Sequence, residues 1–323
     1  MMKFSTLVHQ LGAAASDHSL SSQSCKTQGD WLDPEIVGVA PLDEAIPGTL
    51  SFVEISRAAA IIQTQASALI LPIAESLQAQ ATAQRIAWIA TPQPRLLFAQ
   101  AIALFYQPFQ PTAAIHPTAV IDPSVQLGNS VSIGAYVTIQ AGVKLGDQVC
   151  IHPQVVIYPQ AQIGDRTVLH AGCVIHERTS IGAQCVIHSG AVIGAEGFGF
   201  VPTREGWFKM QQSGYTVLED NVEIGCNSNI DRPAMGTTRI GWGTKVDNLV
   251  QIGHGCQIGR NCVIAAHGGL AGGVKLGNHV VLAGQVGISN QVKLGDQVTV
   301  SAKAGVISDV EAGTTVSGYP AIP

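Results

Sequence analysis

The chain has 323 residues, of which 46% are apolar and only 12% are charged, and its formal net charge is −5. This length suffices for two domains with buried cores. The acidic balance argues against non-specific binding to nucleic acid, and the low charge predicts an oligomer that hides part of its surface. The sequence contains no run of 18 apolar residues, so it predicts no transmembrane segment.

The cysteines indicate a reducing compartment. Their number is odd and no C-x-x-C motif occurs, which argues against a disulfide framework and against a zinc ribbon. We therefore expect a cytoplasmic protein. The seven are Cys25, Cys150, Cys173, Cys185, Cys226, Cys256 and Cys262.

Residues 1–110 have the pattern of a mixed α/β domain. The start, "MMKFSTLVHQLGAAASD", places Phe4, Leu7, Val8 and Leu11 on one helical face, which favours an amphipathic helix over a signal peptide. "TLSFVE", "ASALILP" and "RIAWIATP" predict strands. "SRAAAIIQTQ" and "PRLLFAQAIALFYQPF" predict helices, the second with Pro94 in its first turn, and "QPFQPT" predicts a linker.

Residues 111–323 follow a repeat of six. Aliphatic residues recur at this spacing 14 times in succession, the run breaks at an inserted loop of about 195–217, and it continues to Val306 with one gap of four extra residues. Such hexads are typical of a parallel β-helix, in which three hexads make one coil of 18 residues. The first run is Ile115, Ile121, Leu127, Ile133, Ile139, Leu145, Ile151, Ile157, Ile163, Leu169, Ile175, Ile181, Ile187 and Ile193.

The repeat also explains most of the cysteines. The residue four places after each aliphatic is small and should point inward. Cys173, Cys185, Cys256 and Cys262 occupy this position. We therefore interpret them as compact core residues rather than redox groups.

One histidine stands out in "DNLVQIGHG". Residues 18 apart should stack in neighbouring coils, which places Gly272 directly above His254 and Asn290 one coil further. A base that faces a bare backbone N–H has the two groups that acyl transfer needs, a proton acceptor and an oxyanion donor. We interpret the bare backbone as room for substrate. Asp247, seven residues earlier, is the predicted partner that fixes the histidine tautomer; the alternative for His254 is a surface histidine.

Four stretches carry a resemblance to a known family. "GAEGFGF", "REGWFKMQQSG", "VEIGCNSNIDRPAMGTTRIG" and "KVDNLVQIGHGCQIG", with "PGTLSF" and "ASALILP" before them, resemble the UDP-3-O-(3-hydroxyacyl)glucosamine N-acyltransferases of lipid A biosynthesis. The resemblance implies a left-handed parallel β-helix, mainly β, with a small N-terminal α/β domain that binds uridine nucleotide. It also implies a homotrimer that takes its acyl chain from acyl carrier protein, with no cofactor and no metal.

The resemblance assigns roles to individual residues. It makes His254 the general base, Asp247 its partner and Gly272 the oxyanion donor. Substrate contacts then fall on Phe52, which stacks on uracil, on Asn248 and Gln291, and on Gly305 in the acyl channel. The sequence departs from the family at Ile55 and Ala58, where an asparagine and a tyrosine are usual, and at Gln291, where a histidine is usual.

Two further features leave alternatives open. Arg260, Lys275 and Lys293 form a locally basic region that fits acyl carrier protein, although a solvated face is the simpler interpretation. Residues 152, 170 and 188 are histidines 18 apart that should stack, with His116 two coils earlier. This ladder allows a metal enzyme of the γ-carbonic anhydrase type, and the altered nucleotide positions allow a scaffold that has lost nucleotide-sugar activity.

Overall fold

The structure is a computed structural model that describes residues 1–14, 33–55 and 63–320. The chain divides into two compact units, Met1–Phe109 and Gln110–Pro323. None of the described helices combines the length and the apolar character that a bilayer span requires.

The N-terminal unit is built on a four-stranded parallel sheet in the order β3-β4-β5-β6, and a short antiparallel pair, β1 and β2, lies apart from it. The three predicted strands are confirmed as β4, β5 and β6. The strands are β1 (Met2–Lys3), β2 (Glu35–Ile36), β3 (Gly38–Val39), β4 (Thr49–Phe52), β5 (Ala68–Leu71) and β6 (Ala87–Ala90), and the helices are α1 (Phe4–Ala14), α2 (Glu75–Ala83) and α3 (Pro94–Phe105).

Helices cover both faces of this sheet. Helices α1 and α3 share a hydrophobic cluster with Ala68 and Ile70 of β5, whereas α2 packs with Leu69 and Leu71 from the same strand. This division follows from the alternation of side chains along a strand. The amphipathic α1 and the proline-started α3 confirm two predictions. Helix α2 was not predicted, and residues 56–62 of the predicted helix "SRAAAIIQTQ" lie outside the described residues.

The second unit is the predicted parallel β-helix, with three sheets that we call the first, second and third faces. Most strands are two residues long and pair in parallel with strands one coil away, 18 residues on, as Cys150 does with Val168.

The first face has ten strands: Val120–Ile121, Thr138–Ile139, Val156–Ile157, Val174–Ile175, Val192–Glu196, Asn229–Arg232, Gln251–Ile252, Gly269–Leu270, Gly287–Ile288 and Gly305–Val306. The second face has nine: Gln126–Leu127, Lys144–Leu145, Gln162–Ile163, Ser180–Ile181, Tyr215–Leu218, Thr237–Ile240, Gln257–Ile258, Lys275–Leu276 and Lys293–Leu294. The third face has ten: Ser132–Ile133, Cys150–Ile151, Val168–Leu169, Val186–Ile187, Glu223–Ile224, Lys245–Val246, Val263–Ile264, Val281–Leu282, Thr299–Val300 and Thr315–Val316.

The core of the β-helix is the column of inward residues. The aliphatic of each hexad and the small residue four places later are buried together, and all four cysteines predicted for the small position are fully buried. Burial raises the pKa of the Cys173 and Cys256 thiols to about 12. A thiol with such a pKa is not a nucleophile near neutral pH, which agrees with a packing role.

The repeat is interrupted where the sequence predicted an insertion. The chain leaves the first face after Val192–Glu196, forms an antiparallel hairpin of Phe200–Thr203 and Gly206–Lys209, and rejoins the second face at Tyr215–Leu218. Despite the insertion, Ile193 still pairs with Ile230 on the first face, so the coils remain in register.

Candidate active site

His254 lies at the corner between the first and second faces, and its ring rests against Gly272 of the next coil. A Cβ atom placed on Gly272 would approach His254 Nε2 and Cε1 to 2.6 Å. The stacking predicted from the spacing of 18 therefore brings the two residues together. The space that we assigned to substrate is, however, taken by the imidazole itself, and any larger residue at 272 would displace it.

The backbone of Gly272 is bonded on one side only. Its carbonyl accepts the Gln291 N–H at 3.0 Å. Within the described part of the chain, no acceptor takes the Gly272 N–H. This amide is therefore available to a ligand beside the imidazole.

Asp247 does not meet His254 within one chain. It lies at the corner between the third and first faces, where its Oδ1 accepts the Asn248 N–H at 2.7 Å and its Oδ2 accepts the Ala266 N–H at 3.0 Å. Seven residues exceed the length of one hexad, so the chain has passed a whole face before it reaches His254. The carboxylate instead caps one backbone N–H of its own coil and one of the neighbouring coil.

Asp231, in "NIDR", is a carboxylate whose charge interacts with that of His254, although no hydrogen bond or ion pair joins these two described side chains. Burial raises the pKa of Asp231, while a hydrogen bond from Gln251 Nε2 at 3.0 Å and the charge of His254 oppose that shift. Asp231 was not among the residues predicted from the sequence. Ile230 pairs with Ile252, so the four extra residues before Ile240 place Asp231 one coil below Gly253, and counting them would have located it.

The remaining predicted substrate contacts of the β-helix are distributed over two corners. Gln291 is exposed near the His254 corner, one residue after the column of His254, Gly272 and Asn290, and has a φ of 62°. Asn248 lies beside Asp247 on the other corner, where its Oδ1 accepts the Cys226 N–H at 2.6 Å. Only Gln291 is therefore on the corner of His254.

Gly305 ends a strip of glycines on the first face. Gly269 pairs with Gly287, and Gly287 pairs with Gly305, so three consecutive coils present bare backbone above Gln251. Nothing lies within 4 Å of a Cβ placed on the first two glycines, whereas one on Gly305 would meet the ring of Tyr319 at 2.3 Å. Tyr319 therefore closes the far end of the strip.

The N-terminal unit has a cavity at the carboxyl ends of its parallel strands, where ligands of open α/β sheets usually bind. The cavity has about 650 Å³ and is lined by Ile55, Pro94 and the ion pair of Arg95 Nε with Glu54 Oε1 at 3.2 Å. Phe52 ends strand β4, just before the lining residue Glu54. Its ring centroid lies 4.7 Å from that of Phe98. Ala58 lies outside the described residues.

The residues of the predicted basic region lie on one face of the β-helix and at the corner beside it. Lys275 and Lys293 pair in neighbouring strands of the second face and both side chains are exposed. Arg260 is exposed at the corner between the second and third faces, where its N–H donates to Asn278 Oδ1 at 2.9 Å. The two lysines form a column and Arg260 stands beside it.

The histidine ladder stacks as predicted, at the corner between the third and first faces. The rings of His152, His170 and His188 are parallel with centroids 4.9 and 5.0 Å apart, and His188 Nε2 lies 2.8 Å from Glu223 Oε1. Across the described ranges, no group of three or more His, Cys, Asp or Glu side chains is placed to hold a metal ion. His116, two coils earlier, contacts Thr118.

The fold and this corner define a class of protein. A β-helix of hexapeptide coils that holds a half-buried histidine against a bare backbone amide has the architecture of a hexapeptide-repeat acyltransferase. The model for bacterial transferase hexapeptides matches residues 142–177, 160–195 and 237–272, and the model for UDP-3-O-(3-hydroxymyristoyl) glucosamine N-acyltransferase, LpxD, matches residues 33–104. The chain belongs to the UDP-3-O-acylglucosamine N-acyltransferase family.

Sequence relatives support this membership over most of the chain. The UDP-3-O-acylglucosamine N-acyltransferase of Gloeothece citriformis is 63% identical over 272 residues, which cover 84% of this chain and 76% of the relative. That of Trichormus variabilis is 63% identical over 274 residues, with the same coverage. The chain is therefore an acyltransferase rather than a scaffold or a carbonic anhydrase-like enzyme.

A solved structure confirms the predicted fold class. The UDP-N-acetylglucosamine acyltransferase of Arabidopsis superposes with a TM-score of 0.59 at 26% identity, over 64% of this chain and 72% of that one. The second unit is thus a left-handed parallel β-helix.

Proposed function

We propose that the protein transfers a 3-hydroxyacyl chain from the thioester of acyl carrier protein to the 2-amine of UDP-3-O-acylglucosamine, a step of lipid A biosynthesis in the cytoplasm. The observation that carries this proposal is the pairing of His254 with the Gly272 backbone, in a chain that is 63% identical to relatives named for this reaction.

His254 acts as the general base in a direct transfer. It accepts a proton from the amine as the nitrogen attacks the thioester carbonyl. The Gly272 N–H, which has no acceptor in the described part of the chain, donates to the developing oxyanion. Collapse of the tetrahedral intermediate expels the carrier thiolate, which takes the proton from the imidazolium. This sequence of steps needs no metal, cofactor or covalent enzyme intermediate.

We assign to Asp231 the electrostatic stabilisation of His254, whereas fixing the histidine tautomer, the role predicted for Asp247, requires a hydrogen bond that Asp231 does not make within the described part of the chain. It is the carboxylate whose charge interacts with His254, so it stabilises the imidazolium that forms during the reaction. Asp247 accepts hydrogen bonds from backbone N–H groups at its own corner.

Different parts of the protein bind the acyl chain of the donor and the nucleotide. The glycine strip gives an extended acyl chain a backbone surface that is free of side chains at Gly269 and Gly287 and ends under the Tyr319 ring at Gly305. Gln291 contacts the sugar nucleotide at the corner of His254. Asn248 lies at another corner and reaches the nucleotide that is bound by a neighbouring copy of the chain. Uridine binds in the N-terminal unit beside Phe52, at the cavity that Ile55 lines, where Arg95 can replace polar contacts that Ile55 does not offer.

The exposed second face is the docking surface for the carrier. Lys275 and Lys293 attract the acidic carrier protein, with Arg260 at the edge of the same surface. The other two faces bind two further copies of the chain in a homotrimer.

The test is an acyl transfer assay with purified protein, a 3-hydroxyacyl thioester of acyl carrier protein and UDP-3-O-acylglucosamine. Loss of the base in His254→Ala should lower kcat by roughly 10²–10⁴-fold. The control is His279→Gln, at an exposed corner, which should retain full activity. Absence of transfer by the wild-type protein would contradict the proposed function, and activity of His254→Ala within about threefold of wild type would contradict the role of the base.

A further inference from the structure

The insertion begins close to the candidate base, where Gly197 lies against His254. We call residues 195–214 the inserted segment. Its hairpin presents aromatic side chains to solvent, among them Trp207 and Phe208. One buried cation, Arg232, contacts both ends of the segment, and Arg178 holds its last two residues.

Arg232 fixes both ends of the inserted segment. Its side chain is almost fully enclosed, with 6% of the residue exposed. Nε donates to the Gln212 carbonyl at 2.8 Å, near the end of the segment, and Nη1 donates to the Gly194 carbonyl at 3.1 Å, just before its start. The planar guanidinium thus closes the loop with a geometry that lysine cannot reproduce.

Carboxylates neutralise this buried charge. Arg232 Nη2 lies 2.8 Å from Glu177 Oε1 and 3.6 Å from Glu196 Oε1, and Glu196 also pairs with Lys209 of the hairpin. Burial opposes ionisation of Glu177, but a backbone hydrogen bond and the charge of Arg232 outweigh it and lower its pKa. Arg232 is the buried member of this cluster, since the side chains of Glu177 and Glu196 are 32% and 35% exposed. Substitution of Arg232 therefore removes the group to which both carboxylates and both ends of the segment are bound.

The same residue connects the segment to His254. The Arg232 carbonyl accepts the Gly197 N–H at 3.1 Å. A Cβ placed on Gly197 would lie 2.5 Å from the Cβ of His254. The histidine is therefore confined between two glycines, with Gly197 against its Cβ and Gly272 against its ring.

We propose that Arg232 is a positioning residue for His254: by closing the inserted segment it presses the Gly197 backbone onto the histidine and fixes the imidazole over Gly272. This inference rests on the proposed function for its kinetic readout. The chemistry of Arg232 itself is hydrogen bonding and ion pairing, and it takes no part in bond making.

The first test compares two arginines that both hold the inserted segment. Arg178 donates to the Ser213 carbonyl at 2.8 Å and to the Gly214 carbonyl at 3.3 Å, and none of its hydrogen bonds involves Gly197. Arg232→Lys should lower kcat by roughly 10–100-fold, because misplacement of a catalytic group is costly, while KM changes less than about threefold. Arg178→Lys should keep kcat near wild type. An equal loss of kcat in both variants would overturn the proposal, since it would indicate a general structural effect.

The second test does not require activity. Diethyl pyrocarbonate modifies accessible histidines, and peptide mass spectrometry measures the rate at each site. His254 should be modified at least about threefold faster in Arg232→Lys, with exposed His279 unchanged as the internal reference. An unchanged rate at His254 would overturn the proposal even if the wild-type protein proved inactive in the transfer assay.

Gly197→Ala provides a third test, which remains informative if Arg232→Lys does not fold. The added methyl group meets His254 while the buried ion pairs stay intact. Because the same methyl group would also lie 2.8 Å from the Arg232 carbonyl oxygen, we expect a melting temperature below that of wild type and, for protein that is folded at the assay temperature, a kcat lowered by roughly tenfold or more. Full kcat in this variant would show that Gly197 does not position the histidine.

Discussion

The position of the His254 side chain depends on residue 272 of the next coil being glycine, because the imidazole occupies the space that a side chain would need. The spacing of 18 was enough to predict that Gly272 lies above His254. It was not enough to predict what fills the gap, because the direction of a side chain at a corner depends on χ angles that a repeat does not encode. The structure places the imidazole against the glycine, so the glycine determines where the base is held.

Substitution can distinguish the roles of Asp231 and Asp247, the two aspartates considered as partners of His254. Asp231→Asn removes the charge that interacts with His254, so kcat should fall by roughly tenfold or more through loss of imidazolium stabilisation. Asp247→Asn retains an oxygen that can accept a backbone N–H, and its effect on kcat should be smaller. Measurement of kcat for both variants tests the assignment; a larger loss in Asp247→Asn would show that a contact outside the single chain uses that carboxylate.

The far end of the glycine strip should set the length of the acyl chain. Gly305→Met places a side chain where Tyr319 now lies and shortens the strip, so the enzyme should prefer shorter donors. Tyr319→Ala opens the strip and should favour longer donors. Each buried methylene contributes about 0.8 kcal/mol, so a change of two carbons should alter selectivity by roughly tenfold. Competition among C12, C14 and C16 thioesters measures the ratio, and identical product ratios in wild type and both variants would place the end of the channel elsewhere.

Among the elements, those with a strict period were predictable and those without one were not. The hexads fixed the strands, the faces and the break in the repeat, because one aliphatic in six must point inward in every coil. Helix α2 was missed because Leu77 is the only large apolar residue in its sequence, "ESLQAQATA", which leaves almost no apolar period to recognise. The strands β1 and β2 are two residues each, too short for any alternation to appear.

The histidine ladder should make the β-helix sensitive to acid. Burial lowers the pKa of His170, and the neighbouring His152 and His188 lower it further, while Glu223 opposes them. A histidine whose pKa is lower in the folded state binds protons more readily when unfolded, so the fold loses stability as pH falls below the unfolded value of about 6.5.

Melting temperatures between pH 8 and pH 5 test this expectation. His170→Gln should lose less stability than wild type over the acidic part of this range. His279→Gln is the matched control, because it removes a histidine from an exposed corner outside the ladder, and it should follow the wild-type curve. A His170→Gln curve parallel to wild type would show that the ladder is not linked to folding.

At the scale of the whole molecule, the three faces differ in polarity. We compare the outward strand position just before each inner aliphatic. On the second face this position is polar or charged apart from Val217, and it includes Lys275 and Lys293. On the first face it is never charged, and on the third face the two charged residues, Glu223 and Lys245, face each other at 3.8 Å. One face is thus suited to water and to a charged partner, whereas two are suited to burial.

This asymmetry predicts a trimer in which the first and third faces of each copy meet its neighbours while the second face remains exposed. Val168 and Gln162 offer a matched pair, since both are outward strand residues of the same coil, on the third and second faces respectively. Val168→Glu would bury an unpaired carboxylate, which costs several kcal/mol, and should dissociate the assembly. Gln162→Glu should leave it intact. Light scattering at micromolar concentration should give three times the chain mass of 33.7 kDa for wild type and Gln162→Glu, and a lower mass for Val168→Glu. A monomeric wild type would contradict the trimer, and a fully trimeric Val168→Glu would remove the third face from the interface.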